Sequence, residues 1–396
     1  MSEVKEFELP AIYHRKLDAW QKANFPDLAL LDKYWEKHFP NERPFVLNVK
    51  LDEMAPGTIE YGMYKGAPKI DQAREMKGNM LYSALRIIKA QCSTELGSVQ
   101  QHVCTLDTTG NDATKFKILR VMAEEFRHAY QMFWVLAHDP TWSAGGIEQL
   151  ADNTMDELLA MHTGSHVLDA FNIPFIDALD NVVFAFLIDR VGKYQLTMQK
   201  AFAYTPMANS MSPMLREESF HLKFGFEVLR DIAVEAAVGN GRWSLNEIQR
   251  RLNAWVPRGL EMFGNPAGGD TNLEFSFKDR LNGPAAEAYY QENERLVEKL
   301  NVAITRARHP DLDEEAAKAL NRERPADDLL TLPDPEFFRT RGPDELSLQL
   351  VDVAGKRLDN AQFEPYLASV LPRELLATDF FQGYRAAFQA KHQLAN

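Results

Sequence analysis

Two stretches of the chain carry a glutamate and a histidine three residues apart: Glu125 with His128, and Glu218 with His221. That spacing puts both side chains on one face of an α-helix. The surroundings are apolar, with Val121, Met122, Met132 and Phe133 near the first pair and Leu215, Phe224 and Val228 near the second. A carboxylate on an inward face costs on the order of several kcal/mol unless it is paired or coordinates a metal. Two such pairs are only a small excess over chance, so their placement has to carry the argument.

Bundles that hold two metal ions combine two Glu-x-x-His helices with one carboxylate from each of two further helices. The segment before the first pair offers Glu95, within QCSTELGSVQQH, and the segment before the second offers Asp189, within FAFLIDRVGKYQL. Glu95 precedes Glu125 by 30 residues and Asp189 precedes Glu218 by 29. Near-equal gaps suit two antiparallel hairpins related by a pseudo-twofold axis. Four carboxylates balance two divalent cations, and neutral His128 and His221 leave the reduced site uncharged. Six oxygen and nitrogen ligands with no thiolate argue against structural zinc, while iron and manganese both suit the donor types.

Plainer readings of the same residues exist. A lone Glu-x-x-His is more often a surface ion pair; the metal reading rests on four matched segments. His162 and His166, four apart, could bind zinc, but the sequence offers no third ligand nearby. Glu124 and Glu217 each precede a candidate ligand and are expected to partner ligands or neighbouring helices. Lys193 either pairs with a carboxylate or faces substrate. Met80, Met122, Met132, Phe184, Phe186 and Met214 are expected in the core, some of them beside the metals. No glycine-rich phosphate loop, Ser-His-Asp pattern or Cys-x-x-Cys motif competes.

The elements that must position these residues read as helices. Residues 1–70, with six prolines, form an N-terminal wrapping segment with short helices. Apolar periodicity at three and four predicts helices over 71–106, 112–138, 155–171, 175–204 and 212–238. Residues 71–240 are therefore a four-helix bundle with one extra helix, and 241–324 add helices over 244–265 and 283–307. The last part, 325–396, begins proline-rich. Alternating Leu346, Leu348 and Leu350 before Ala354-Gly355-Lys356 predict a small β-hairpin, and a helix over 374–392 closes the chain. The fold class expected is all-α and ferritin-like.

Composition narrows the rest. At 396 residues, 45% hydrophobic and 26% charged, the chain can bury a sizeable core in two or three domains. A net charge of −13 speaks against nucleic acid or an anionic membrane as partner. Cys92 and Cys104, twelve residues apart on one helix, would sit roughly 18 Å apart, beyond disulfide reach. The N-terminus is acidic where a signal peptide is basic, and no window has 18 uninterrupted apolar residues. A cytoplasmic location is expected.

The stretches LRIIKAQCSTELGSVQQH (85–102), VMAEEFRHAYQMFWVL (121–136), FLIDRVGKYQL (186–196) and LREESFHLKFG (215–225) resemble the phenylacetyl-CoA epoxidase family of di-iron proteins, and within it the benzoyl-CoA 2,3-epoxidase oxygenase component. Weaker similarity extends around TLPDPEFFRTR. The resemblance implies Glu95, Glu125, His128, Asp189, Glu218 and His221 as ligands of two iron ions, with Asp as the third carboxylate typical of the family. It implies a monooxygenase that takes electrons from a flavin/iron–sulfur reductase and inserts one atom of O2 into the ring of an aromatic acyl-CoA. The chain is shorter than the benzoyl-CoA enzyme and differs beside the ligands, at Phe126 and at Ala129-Tyr130-Gln131.

An anionic thioester requires a local basic cluster, for which Arg86, Lys89, Arg190 and Lys193 are the candidates. Three other functions share the ligand pattern. They are a di-iron oxygenase acting on a non-CoA substrate by N-oxygenation or hydroxylation, a ferritin-like storage protein, and an inactive partner subunit. Storage shells use shorter, bare bundles, and an inactive subunit would be expected to lose ligands that are all present here.

Overall fold

The computed structural model describes residues 5–52, 57–145, 149–340 and 350–392. Among these, fourteen α-helices accompany one two-stranded antiparallel sheet. The N-terminal part holds β1 (Lys5–Phe7), α1 (Ala11–Asn24), α2 (Leu28–His38) and β2 (Val49–Leu51). Five long or mid-length helices follow: α3 (Asn79–Val103), α4 (Asp112–Ala137), α5 (Leu150–Leu159), α6 (Ala178–Gln199) and α7 (Thr205–Ala237). Then come α8 (Leu245–Glu261), α9 (Asp270–Glu274), α10 (Asn282–Arg308) and α11 (Glu314–Glu323). The chain closes with α12 (Asn360–Val370), α13 (Arg373–Leu376) and α14 (Asp379–His392). None of these helices is long and apolar enough to cross a membrane.

Two compact units are distinguished. The first comprises 1–175, 193–220 and 269–281, and the second 176–192, 221–268 and 282–396. Helices α6 and α7 contribute residues to both.

The first unit is organised on α4. Asn111 starts that helix by accepting a bond from Thr114 N at 2.7 Å, a cap worth about 1 kcal/mol. From Ile118 to Leu136 every residue of α4 is buried, so the helix needs neighbours on all sides. Helix α3 lies antiparallel along it, with Cys92 beside Ala129 and Glu95 beside His128. Trp20 of α1 stacks on Phe126 at 5.6 Å, and His38 of α2 stacks on Phe116 at 3.8 Å. Gly97 lets α3 approach the 166–171 segment, since a Cβ there would lie 2.8 Å from Phe171 Cβ.

Pro213, inside α7, has no N–H to give to the carbonyl four residues earlier. That carbonyl, on Asn209, accepts instead from Asp52 N at 3.0 Å. The proline thus creates the docking point for the strand residues 49–52. The tight turn between α6 and α7 is clasped by 69–70. Ile70 exchanges backbone bonds with Ala203 and Thr205, each at 2.8 Å, and the buried Lys69 ammonium donates to Phe202 O at 3.0 Å.

In the second unit, every residue of α6 from Ala178 to Val191 is buried, and most are apolar, as in a helix enclosed all round. Gly225 of α7 meets it at backbone distance: a Cβ would stand 2.4 Å from Phe186 N. Asp180 accepts from Trp255 Nε1 at 2.9 Å and pairs with Arg251 at 3.0 Å. Arg258, fully buried, donates to Glu261 and to Phe338 O, both at 2.6 Å, pinning the 337–340 segment.

The helices expected over 112–138, 244–265 and 283–307 match α4, α8 and α10 closely, and the structure is mostly helical as expected. Several boundaries differ for identifiable reasons. The helix expected over 155–171 is α5, which ends at Leu159; Gly164 then takes φ +105°, a conformation no helix follows. Helix α7 starts at Thr205 instead of 212, because proline fits a first helical turn. The C-terminal helix breaks at Thr378, which accepts from Phe381 N and starts α14. Of the expected C-terminal hairpin, Leu346 and Leu348 lie outside the described residues. What is described is a single antiparallel bridge, Val351 with Arg357, around Gly355 at φ +79°. Among the described residues, a two-stranded sheet lies near the N-terminus, where Lys5, Glu6 and Phe7 pair with Leu51, Lys50 and Val49.

Candidate metal centre

Glu95, near the middle of α3, and Glu125 and His128, one turn apart on α4, converge in the first unit. Their ligand-type atoms all lie within 4.8 Å of one another. His128 Nδ1 is 3.5 Å from Glu95 Oε2 and 3.8 Å from Glu218 Oε1, so Glu218 of α7 belongs to the same group. In the second unit, Asp189 of α6 and His221 of α7 stand side by side, Oδ2 to Nδ1 3.8 Å. All six residues are buried, none more than 5% exposed.

The ring of His128 is fixed from its other nitrogen. Nε2 is 3.0 Å from Glu217 Oε2. A carboxylate there accepts an Nε2–H, which turns the lone pair of Nδ1 toward Glu95 and Glu218. Glu217 is itself held on both oxygens. Arg127, fully buried, donates Nε to Oε2 at 2.6 Å, and Lys50 of β2 donates to Oε1 at 2.8 Å. The backbone N of Lys50 donates to Gln131 Oε1 at 2.9 Å, and Gln131 passes its amide to Ser210 Oγ at 2.9 Å. On α3, the Gln91 amide donates to Glu95.

Protonation follows from these contacts. Burial, then the charge of neighbouring Glu125 and a hydrogen bond to it, push the Glu95 carboxyl well above the usual range; His128 opposes them. Burial alone would lower the His128 imidazole, but hydrogen bonds to Glu217 and Glu95 leave it raised. Burial would also raise Glu217, and Arg127, His128 and Lys50 together hold it well below the ordinary carboxylate value.

This donor set fits a cation. Two carboxyls pressed together in a dry interior repel, and a metal between Glu95 and Glu125 removes the repulsion that a proton otherwise relieves. Hard oxygen and imidazole donors suit divalent iron or manganese.

The other sequence candidates fall as follows. Glu217 is the partner of His128, one of the candidate ligands. Glu124 accepts from Arg120 Nε at 2.9 Å, one helical turn away. His166 has Nδ1 at 3.2 Å from Ser93 Oγ and Nε2 at 2.8 Å from Gln100 Oε1, so its ring is engaged without a metal. Of the basic candidates, Lys89 pairs with Glu157 at 2.5 Å and the buried Arg190 with Glu292 at 2.6 Å. Arg86 is exposed, and Lys193 lies over the Tyr194 ring at 5.3 Å. Met80, Met122, Met132, Met214, Phe184 and Phe186 are all core. Sequence reasoning missed Lys50 and Arg127. Arg127 did leave a signal, being a cation set between the two candidate ligands Glu125 and His128 in a largely apolar stretch.

No protein-family model matches the chain. Over 168 residues it is 31% identical to benzoyl-CoA oxygenase component B of Aromatoleum evansii. The relationship is distant. The match covers 42% of this chain, which spans about a third of the length of that relative (34%). Together, the distant relation to an oxygenase component and the buried Glu/His clusters are compatible with a metal site.

Proposed function

We propose that this chain is a non-haem di-iron monooxygenase of ferritin-like, four-helix architecture, acting on an aromatic acyl-CoA. Glu95, Glu125, His128 and Glu218 would hold one metal in the first unit, and Asp189 and His221 would supply ligands for the other in the second. The reading is supported most by the convergence of Glu95, Glu125 and His128 around an imidazole whose far nitrogen is fixed by Glu217. Glu218 and His221 keep the i, i+3 spacing within α7 that puts both on one helical face. The substrate class rests on the distant relative, and a flavin/iron–sulfur reductase is the electron donor that such chemistry requires.

Iron held there would supply two electrons for the activation of dioxygen, one atom entering the substrate and the other leaving as water. The chain's own residues supply the rest. Glu217, gripped by Arg127 and Lys50, holds the His128 ring so that Nδ1 faces the site. Gln91 orients Glu95. The buried length of α4 keeps bulk water from the carboxylates, which strengthens every charge interaction among them.

The test is a single turnover. Protein loaded anaerobically with two Fe(II) per chain and mixed with benzoyl-CoA receives one pulse of oxygen, and the thioester is weighed by mass spectrometry. A gain of one oxygen atom is expected. Two irons bound with the thioester returned unchanged would leave the metal site standing and overturn the substrate, opening other acyl-CoAs and amines.

A further inference from the structure

The observations around His128 do not stop at its carboxylate partner. Glu217 divides its two oxygens: Oε2 faces Arg127 and His128, while Oε1 faces Lys50 Nζ at 2.8 Å. Lys50 belongs to neither of the two helices that carry these residues. It lies on β2, a three-residue strand, and its side chain remains about a quarter exposed. The strand reaches the helices by three further bonds. Lys50 N donates to Gln131, Asp52 N docks on the carbonyl that Pro213 leaves free, and the Asp52 carboxylate pairs with Arg216 at 3.2 Å.

We infer that Lys50 is a positioning residue for the metal site, acting through Glu217 on the His128 ring. The inference rests on the metal reading above. The geometry is directional. With Oε1 held by the ammonium, the carboxylate plane is fixed and Oε2 stays on Nε2–H of His128. With Lys50 removed, the carboxylate can rotate about its last side-chain bond and share both oxygens with the Arg127 guanidinium, whose fork geometry favours a bidentate grip. The imidazole then loses its fixed acceptor and its preferred tautomer. A strand from the N-terminal wrapping segment therefore supports a group of candidate ligands that lie on helices α3, α4 and α7.

The test measures metal affinity, with Co(II) as an absorbing probe titrated anaerobically into metal-free protein. Wild type is compared with Lys50→Met, Lys50→Arg and Arg216→Met, each with its thermal midpoint. Partners one contact removed from a metal typically shift affinity by about 10–100-fold. For Lys50→Met, one contact further out, a weakening of roughly 5–10-fold is expected by the same reasoning. Lys50→Arg restores most of the affinity, because it keeps a donor for Oε1. Arg216→Met loosens the same strand without touching Glu217 and leaves affinity near wild type. Unchanged affinity in Lys50→Met overturns the inference. So does an equal loss in Arg216→Met, which would mean that seating of the strand, not its ammonium, is what counts. Failure of the wild type to bind Co(II) at all would instead remove the metal reading beneath both.

Discussion

Glu217 stands next to a candidate ligand in sequence yet serves one on another helix, its Oε2 lying 3.0 Å from Nε2 of His128 on α4. Two adjacent residues of α7 thus do different work. Glu218 turns toward Nδ1 of the same imidazole, 3.8 Å away, and Glu217 takes the opposite edge. Consecutive side chains flank the ring on its two edges, and Glu217 holds it.

Replacing that partner should cost both fold and metal. Glu217→Gln leaves Arg127 fully buried against a neutral amide, and breaking a buried pair of this kind costs roughly 3 kcal/mol. Glu217 is held below its unfolded value, first against burial by Arg127, then by His128 and Lys50. Its contribution is therefore present above the ordinary carboxylate range and is lost as pH falls through the folded value. Urea midpoints of metal-free wild type and Glu217→Gln should differ clearly at pH 7 and converge in strong acid. A gap that persists unchanged at the lowest pH where both fold would show that this charge is not the cause.

Glu95 carries the opposite sign. Burial and Glu125 raise its folded value, so the folded, metal-free protein keeps a proton that the unfolded chain releases. The associated stability is present at low pH and fades as pH rises toward the folded value. Glu95→Gln should accordingly raise the melting temperature of metal-free protein at pH 7.5 by roughly 2–4 °C, with little change at pH 5, while abolishing tight metal binding. A variant less stable than wild type at pH 7.5 would contradict this.

Gly225→Ala probes the second unit. Its methyl would fall 2.4 Å from Phe186 N and 2.6 Å from Ala185 C, both backbone atoms that cannot swing aside. Overpacking typically costs about 1–3 kcal/mol, and backbone-on-backbone contact lies at or beyond that upper end. Gly225 is one turn beyond His221 on α7, and Phe186 is three residues before Asp189 on α6. The Asp189–His221 pair should be spread apart. Calorimetry should show a lower thermal midpoint, and metal titration fewer than two ions per chain. Wild-type stoichiometry together with wild-type stability would refute the contact.

The thiols give a simpler check. Cys92 is buried and Cys104 exposed, and both are free. A thiol reagent should modify one cysteine rapidly in native protein and two in denaturant. Burial pushes the Cys92 thiol well above its ordinary value, Glu95 adding to the effect, so the slow site should remain slow even at mildly alkaline pH.

The helical face carrying each Glu-x-x-His was legible because i, i+3 spacing and apolar neighbours are local properties. So was the start of α4, expected at 112 and found there, with Asn111 as its cap. Glu217 was legible only as one of two options. Which helix a neighbour of a ligand will face depends on rotation about α7, and Pro213 and Gly225 help set how that helix packs. Lys50 left no trace at all. Its role comes from a three-residue strand, too short for alternation to register, docked beside a carbonyl that Pro213, far along the chain, leaves free. The α7 start was misjudged because Thr205-Pro206 resembles both a helix end and a helix beginning, and only the packing of Ile70 against Ala203 and Thr205 decides between them.

The clasp of Lys69 and Ile70 on the turn between α6 and α7 bears on how such a chain can diverge. Ala201, Phe202, Ala203 and Tyr204 are all buried, and their carbonyls are spoken for. Insertions usually accumulate in connections that face solvent and carry no obligatory partners. Length differences between this chain and its descendants should therefore spare residues 200–205 and gather at exposed bends such as Gly239-Asn240-Gly241, leaving one interhelical turn as a fixed point while the periphery drifts.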